Sequence, residues 1–109
     1  MNNILEDVER LKQDIIDSNE YKEYKKYNDI LEENEEIKSI IKDIVSKQKE
    51  LVSKLNNDKK LEKELDSLYE KLNSYDDYNK YIESSKNLNI LLSKVQKNFE
   101  EYFNKLISE

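Results

Sequence analysis

Apolar residues between positions 35 and 55 recur at the spacing of one face of an α-helix. Steps of four and three residues alternate along a single line: Ile37, Ile41, Ile44, Gln48, Leu51 and Leu55. Ile40, Val45 and Val52 widen this line into an apolar face, while the opposite side carries Lys, Asp, Ser and Glu. A helix of about 20 residues is about 30 Å long. An apolar face of that length has to be covered, so we expect other segments to pack on it.

Four further segments show helical spacing. We predict helices at residues 2–16, 19–33, 59–72 and 76–107, in addition to 35–55. Asp17 or Ser18 can cap the second helix, and Asn34 can cap the third. Nothing before Ile37 forces a stop, so one bent helix is an alternative to the break that we favour at Asn34. The apolar pattern slips by one residue after Leu55, and residues 56–58 are Asn-Asn-Asp, which favours a loop there.

The last predicted helix has the longest apolar pattern in the chain. Its heptad line comprises Tyr78, Tyr81, Ser85, Leu88, Leu92, Val95, Phe99, Tyr102 and Leu106. We therefore predict an all-α fold, an elongated bundle of four to five helices in one domain over residues 1–109. A long antiparallel pair of the third and fifth helices would form its centre, with the first two helices over one end. Aspartate at Ile41 or Leu92 should then unfold the bundle.

Composition narrows the possible functions. The chain has 109 residues, 36% hydrophobic and 40% charged, and lacks Gly and Pro, which disfavours a strand-rich fold with many tight turns and a thick core. It has neither Cys nor His, so disulfides, thiolate chemistry, Cys-held clusters and Ser-His triads are excluded. The acidic clusters are of the kind found on solvated helix faces, and no metal or other cofactor is expected. A Ser–Lys dyad is the remaining catalytic arrangement, and we expect a protein that is not an enzyme, with no catalytic residues.

The net charge of the chain limits the classes of partner that it is expected to bind. The net charge is −6, the isoelectric point is near 4.9, and Arg10 is the only arginine, so direct nucleic-acid binding is not expected. No apolar run approaches the roughly 18 residues of a membrane span. The N-terminal residues mix acids with apolar side chains, unlike a signal peptide. We therefore expect a cytoplasmic protein.

Tyrosines are the most distinctive candidate site residues. They form two similar clusters: Tyr21, Tyr24 and Tyr27, and then Tyr75, Tyr78 and Tyr81. Tyrosine covers helix faces while its hydroxyl reaches water, and it is also enriched at interface hot spots. We expect a protein-partner interface at these six residues rather than base stacking. Gln48 and Ser85 are polar residues within the apolar lines of the third and fifth helices. They either fix the register of helix packing and the choice of partner, or lie at a solvent-exposed edge of the bundle.

The order of these elements resembles a known family. Residues 15–51 hold a Ser18-Asn-Glu-Tyr21 step, a tyrosine-bearing helix, an acidic joint around Asn34 and a helix containing Gln48. Residues 75–99 are similar to that family's last long helix, where Ser84 or Ser85 stands at a position often held by a small residue. The family is that of the YlbF/YmcA proteins, which includes the YheA group of small bacterial helical proteins.

The resemblance implies a helical regulatory protein that binds partners. YlbF and YmcA act with YaaT on ribonuclease Y in mRNA processing, and affect competence, biofilm formation and sporulation. Some members of that complex are linked with Fe–S clusters through Cys, and this chain has no Cys. The expected partners are family paralogues and further copies of this chain, as a homodimer or tetramer. The alternative is a structural coiled-coil oligomer or assembly component, which would form larger species.

Overall fold

The computed structural model describes residues 3–108, and this part of the chain contains five α-helices and no strand. They are α1 (Asn3–Ile16), α2 (Asn19–Glu32), α3 (Glu35–Ser53), α4 (Lys59–Asn73) and α5 (Asp76–Ser108). The all-α prediction is confirmed, as is the break between the second and third helices. The predicted ends agree with the observed ones to within two residues. The predicted first residue of the first helix, Asn2, lies outside the described residues.

Side-chain caps explain where three helices begin. The Asn34 side-chain oxygen accepts a hydrogen bond from the Ile37 amide at 3.0 Å. Asp58 does the same for the Leu61 amide at 3.1 Å, and Ser18 Oγ for the Tyr21 amide at 3.2 Å. Each cap satisfies one of the amides that have no partner within the first turn. The short polar residues therefore separate the helices although the chain has no Gly or Pro.

The turn after α3 uses two left-handed residues. Leu55 and Asn56 have φ angles of 54° and 57°. The Asn56 amide donates to the Leu51 carbonyl at 2.9 Å, and the Leu55 amide donates to the Val52 carbonyl at 3.0 Å. This is the hydrogen-bond pattern of a Schellman motif, whose left-handed position is usually glycine. The predicted loop is confirmed, with the left-handed conformation beginning one residue earlier than the predicted Asn-Asn-Asp stretch.

Replacing Leu55 by Gly should stabilise the protein by up to about 1 kcal/mol. A left-handed leucine costs roughly 1–2 kcal/mol, part of which is offset by the greater unfolded-state entropy of glycine. The Leu55 side chain is 87% exposed, so its removal forfeits little packing. Urea unfolding followed by circular dichroism would measure the change. Val52→Gly, within the helix, is the control and should lower stability by about 1 kcal/mol; equal destabilisation by both variants would contradict the proposed turn.

The described part of the chain divides into two compact units, of residues 27–81 and of residues 3–26 with 82–108. Residues 27–81 hold the main apolar core, formed by Leu31, Ile37, Ile40, Ile44, Leu65 and Leu72. Within this unit α3 packs along α4. The pair is antiparallel, because only residues 54–58 connect two helices that pack along each other. The Lys47 ammonium lies 3.7 Å from Glu64 Oε2, and Gln48 Nε2 donates to the Tyr69 hydroxyl across this pair. The single domain expected from the sequence stays a prediction.

The antiparallel pair is confirmed, but one of its predicted members is wrong. The partner of α3 is α4 rather than the fifth helix, because the left-handed turn at Leu55 and Asn56 sends the chain back along α3. Closing so short a loop costs less entropy than bringing in a segment farther along the chain. Of the two positions chosen for aspartate, Ile41 is half-buried against the core, whereas Leu92 is 39% exposed. Leu92 is therefore a poor site for unfolding an isolated chain.

The unit of residues 3–26 and 82–108 buries far fewer side chains. No residue of α1 is buried, and the buried residues of α5 are Ser84 and Leu88. Many apolar side chains of these helices are exposed: Ile4, Leu5, Val8, Ile16, Ile82, Ile90, Leu92, Phe99, Tyr102, Phe103, Leu106 and Ile107. Within residues 3–108 no helix combines the length and the apolar character needed to cross a membrane.

Candidate partner-binding surfaces

Four of the six predicted interface tyrosines belong to the unit of residues 27–81. Tyr75, Tyr78 and Tyr81 are half-buried, and each packs against the apolar core. Tyr27 is also half-buried, and the Lys80 ammonium lies 6.0 Å from the centre of its ring, within range of a cation–π contact. Part of each ring therefore covers the core of its own chain. The remaining exposed part is what a partner could contact.

The surroundings of Tyr75 and Tyr78 favour the neutral forms of these two side chains, because the pKa of each is raised. A hydrogen bond with the Glu36 carboxylate raises the pKa of Tyr75, helped by burial. Burial raises the pKa of Tyr78, with a smaller contribution from Tyr69. Asp76, whose carboxylate lies 3.3 Å from Lys80 Nζ, raises the pKa of that lysine. The surface thus offers the neutral hydroxyls of Tyr75 and Tyr78 together with the Lys80 ammonium, groups that can hydrogen-bond to a partner.

Tyr21 and Tyr24 lie on α2 in the other unit, and both are half-buried. The amide of Tyr21 is fixed by the Ser18 cap at the start of this helix. The two predicted clusters therefore do not fall into a single unit: Tyr27 belongs with Tyr75, Tyr78 and Tyr81. Their use as a partner interface stays a prediction.

The two polar residues of the apolar lines differ in burial. Gln48 is exposed on α3, where its amide donates a hydrogen bond to the Tyr69 hydroxyl on α4. Ser85 is half-buried, and its neighbour Ser84 is the buried serine of α5. A fixed link between α3 and α4 suits a register role for Gln48, and the small Ser84 suits close packing. Roles for Gln48 and Ser85 in specificity stay predictions.

The exposed aromatic cluster of Phe99, Tyr102 and Phe103 on α5 was missed by the sequence prediction. Phe99 and Phe103 on α5 stack with ring centres 5.9 Å apart, and Tyr102 lies 6.4 Å from Phe103. All three are exposed. Helix lengths give the signal that could have found this surface. At about 1.5 Å per residue, the 33-residue α5 is roughly 50 Å long and the 19-residue α3 only about 28 Å.

Comparison with protein families gives one family match that covers most of the chain. The family profile described as "Control of competence regulator ComK, YlbF/YmcA" matches residues 4–103. The chain belongs to the YlbF/YmcA family. The resemblance stated from the sequence is thereby confirmed over nearly the whole length. No significant match was found among curated proteins or among solved structures.

The YlbF/YmcA profile spans both compact units, from α1 to the exposed aromatic residues of α5. It describes a regulatory family, and its description mentions no reaction. Within residues 3–108 no group of three or more acidic side chains is arranged to hold a metal ion. The exposed apolar surfaces of this YlbF/YmcA chain include side chains of α1 and α5, and the tyrosine clusters are partly exposed.

Proposed function

We propose that this chain is a non-catalytic regulatory adaptor of the YlbF/YmcA type that acts by binding other proteins in the cytoplasm. The family match over residues 4–103, with its description as control of a competence regulator, carries the proposal. The finer part of the proposal is that the adaptor modulates ribonuclease Y-dependent mRNA processing, and through it competence, biofilm formation and sporulation. Its partners would be family paralogues, further copies of the chain and proteins of that pathway.

The exposed apolar faces support a binding role. α1 is amphipathic, with Ile4, Leu5 and Val8 along one side, yet none of its residues is buried. Exposed side chains that form a contiguous apolar face mark interaction sites in soluble proteins. An adaptor needs such faces on more than one element so that it can hold two proteins together. α1 and the end of α5 provide two.

The tyrosines are the proposed contacts of a heterologous partner. Tyr21 and Tyr24 are half-buried, so they present partly ordered rings that lose little side-chain entropy on binding. Truncating Tyr21 and Tyr24 together to Ala should weaken partner capture about tenfold or more, in the range of interface hot spots. Glu23→Ala, an exposed change between them, is the matched control and should leave capture unchanged.

The test is affinity capture of the tagged chain from the bacterium that produces it, with bound proteins identified by mass spectrometry. We expect YlbF-, YmcA- or YaaT-type proteins or ribonuclease Y with the native chain and the Glu23→Ala control. Deletion of the gene should change the amount of ComK. Recovery of this chain alone, in large assemblies and with unchanged ComK, would contradict the adaptor role and favour a structural coiled-coil component.

A further inference from the structure

The middle of α5 has an exposed face on which isoleucines and lysines alternate. We refer to it as the basic face, and its members recur at steps of four, four, three and four residues: Ile82, Lys86, Ile90, Ser93 and Lys97. This spacing keeps them on one side of the helix. All five are exposed, and the two isoleucines expose 46% and 44% of their surface. The buried residues of α5, Ser84 and Leu88, lie on the opposite side of the helix.

The charge of this stretch is opposite to that of the chain as a whole. Residues 84–99 contain three lysines, at 86, 94 and 97, and they are the longest stretch of the sequence without Asp or Glu. The whole chain has a net charge of −6. Among residues 3–108, none of these three lysines has an ion-pair partner. The basic face therefore presents ammonium groups that a partner of opposite charge can reach.

The isoleucines make the basic face more than a charged surface. Lys86 lies one helical turn from both Ile82 and Ile90. The stem of a lysine packs along apolar surface while its ammonium group stays in water. The Lys86 stem can therefore join the two isoleucines into a narrow apolar strip. A partner that packs an apolar side chain on this strip would bring its neighbouring side chains against the ammonium groups, where carboxylates fit best.

Nucleic acids and lipid surfaces fit this face less well. Phosphate backbones are bound by clusters of Lys and Arg, whereas the basic face has no arginine and has two isoleucines within its row. A helix that lies in a membrane surface separates its lysines from a wide apolar side. Here Lys86 lies between Ile82 and Ile90 in the same row. The alternation matches instead an amphipathic helix whose apolar row is bordered by acids.

Acidic residues limit the length of the site. Glu83 lies beside its N-terminal end, and Glu100 continues its row at the C-terminal end. The 16 residues between these acids, 84–99, span about 24 Å, or between four and five helical turns. A partner helix of about that length can place its acids against the lysines. The acids of a longer one would meet Glu83 or Glu100 and be repelled.

We propose that the basic face of α5 binds an acidic amphipathic helix of a different protein. The inference rests on the proposed function, because it names the chemistry of one partner of the adaptor. Burial of Ile82 and Ile90 supplies affinity, and the lysines set the choice and the orientation of the partner. Partners held by other surfaces would keep the proposed function intact even if the basic face bound nothing.

Fluorescence anisotropy with the full chain tests the chemistry of this site. The probe is a labelled synthetic 16-residue helical peptide with one row of leucines bordered by glutamates, and a peptide with lysines in place of the glutamates should not bind. Lys86→Glu with Lys97→Glu should raise the dissociation constant of the acidic peptide about tenfold or more. Ile90→Ser should raise it about fivefold, because apolar contact is lost while the charges stay.

The matched control is Lys63→Glu with Lys71→Glu, which changes the net charge by the same amount at two exposed positions of α4. It should leave peptide binding unchanged. Circular dichroism should show the native helix content in every variant, since all the altered side chains are exposed. Equal weakening by both charge-reversal pairs would show a general effect of net charge and would overturn the proposed site.

Photo-crosslinking in the producing bacterium tests whether a cellular partner uses the face. Ser93 is exposed within the row, so a benzophenone amino acid at this position lies at the proposed contact. Mass spectrometry should map the crosslink to an acidic amphipathic helix of another protein. The crosslink should be lost on adding Lys86→Glu with Lys97→Glu and kept with the α4 control pair.

Several outcomes of these experiments would overturn the inference. They are crosslinks to RNA, to lipid or to further copies of this chain alone, the absence of any crosslink, and peptide binding that ignores the lysines of the basic face. If affinity capture then still recovered family paralogues, the proposed function would hold without this site. A crosslinked acidic helix with an unchanged amount of ComK after gene deletion would instead contradict the regulatory role alone.

Discussion

Replacing Ile37 by Asp is expected to abolish cooperative folding of residues 27–81. Ile37 is 0% exposed and belongs to the core formed by the end of α2, α3 and α4. Losing its packing costs about 2–5 kcal/mol, and burying a carboxyl group without partners costs several more. Together these approach the whole stability of a small domain, about 5–15 kcal/mol. Circular dichroism should show reduced helix content and no sigmoidal thermal transition.

Val45→Asp is the matched control for that experiment. Val45 lies two turns farther along α3, where its side chain is 43% exposed. Valine and aspartate have similar helix propensities, so the change should cost under about 1 kcal/mol. A normal melting transition in Ile37→Asp, or the loss of folding in both variants, would show that the core is not where we place it.

The helix boundaries could be predicted because their determinants are local. Asn34 and Asp58 cap the helices that follow them, and each cap is formed within four residues of sequence. The apolar spacing of α3 likewise marked its inner face, and Ile37, Ile40 and Ile44 are all buried. Caps and apolar spacing depend only on nearby residues, so the helix boundaries predicted from them agree with the structure.

The pairing of α3 could not be predicted from the same pattern. The apolar spacing shows which face of a helix is buried but not which helix packs against it. Both α4 and α5 have an apolar face that could pack against α3. The deciding feature is the left-handed pair Leu55 and Asn56. Leucine rarely adopts the left-handed conformation, so a leucine at position 55 does not predict a turn there.

The candidate site was harder to predict than the fold for a related reason. Exposure of an apolar residue is a property of the whole chain, and the sequence treats Leu88 and Phe99 as equivalent members of one line. The structure buries the first and exposes the second. The tyrosines were predicted as interface residues because of their residue type and clustering. Tyr75, Tyr78 and Tyr81 also pack against the core of their own chain.

Replacing Leu65 by Ala should cost about 2–5 kcal/mol in the free energy of unfolding, the second largest effect that we expect. Leu65 lies on α4, is 5% exposed and belongs to the core that α4 forms with α3. Urea unfolding followed by circular dichroism measures this cost. Because every contact is within the chain, the cost should be the same at low and high protein concentration.

Leu92→Ala is the matched leucine truncation on α5, and it separates the observed pairing from the one expected from sequence. Leu92 is 39% exposed, so its truncation should cost at least about 1 kcal/mol less than that of Leu65 in dilute protein. A central pair of α3 and α5 would reverse the order, with Leu92 costly at every concentration and Leu65 nearly neutral.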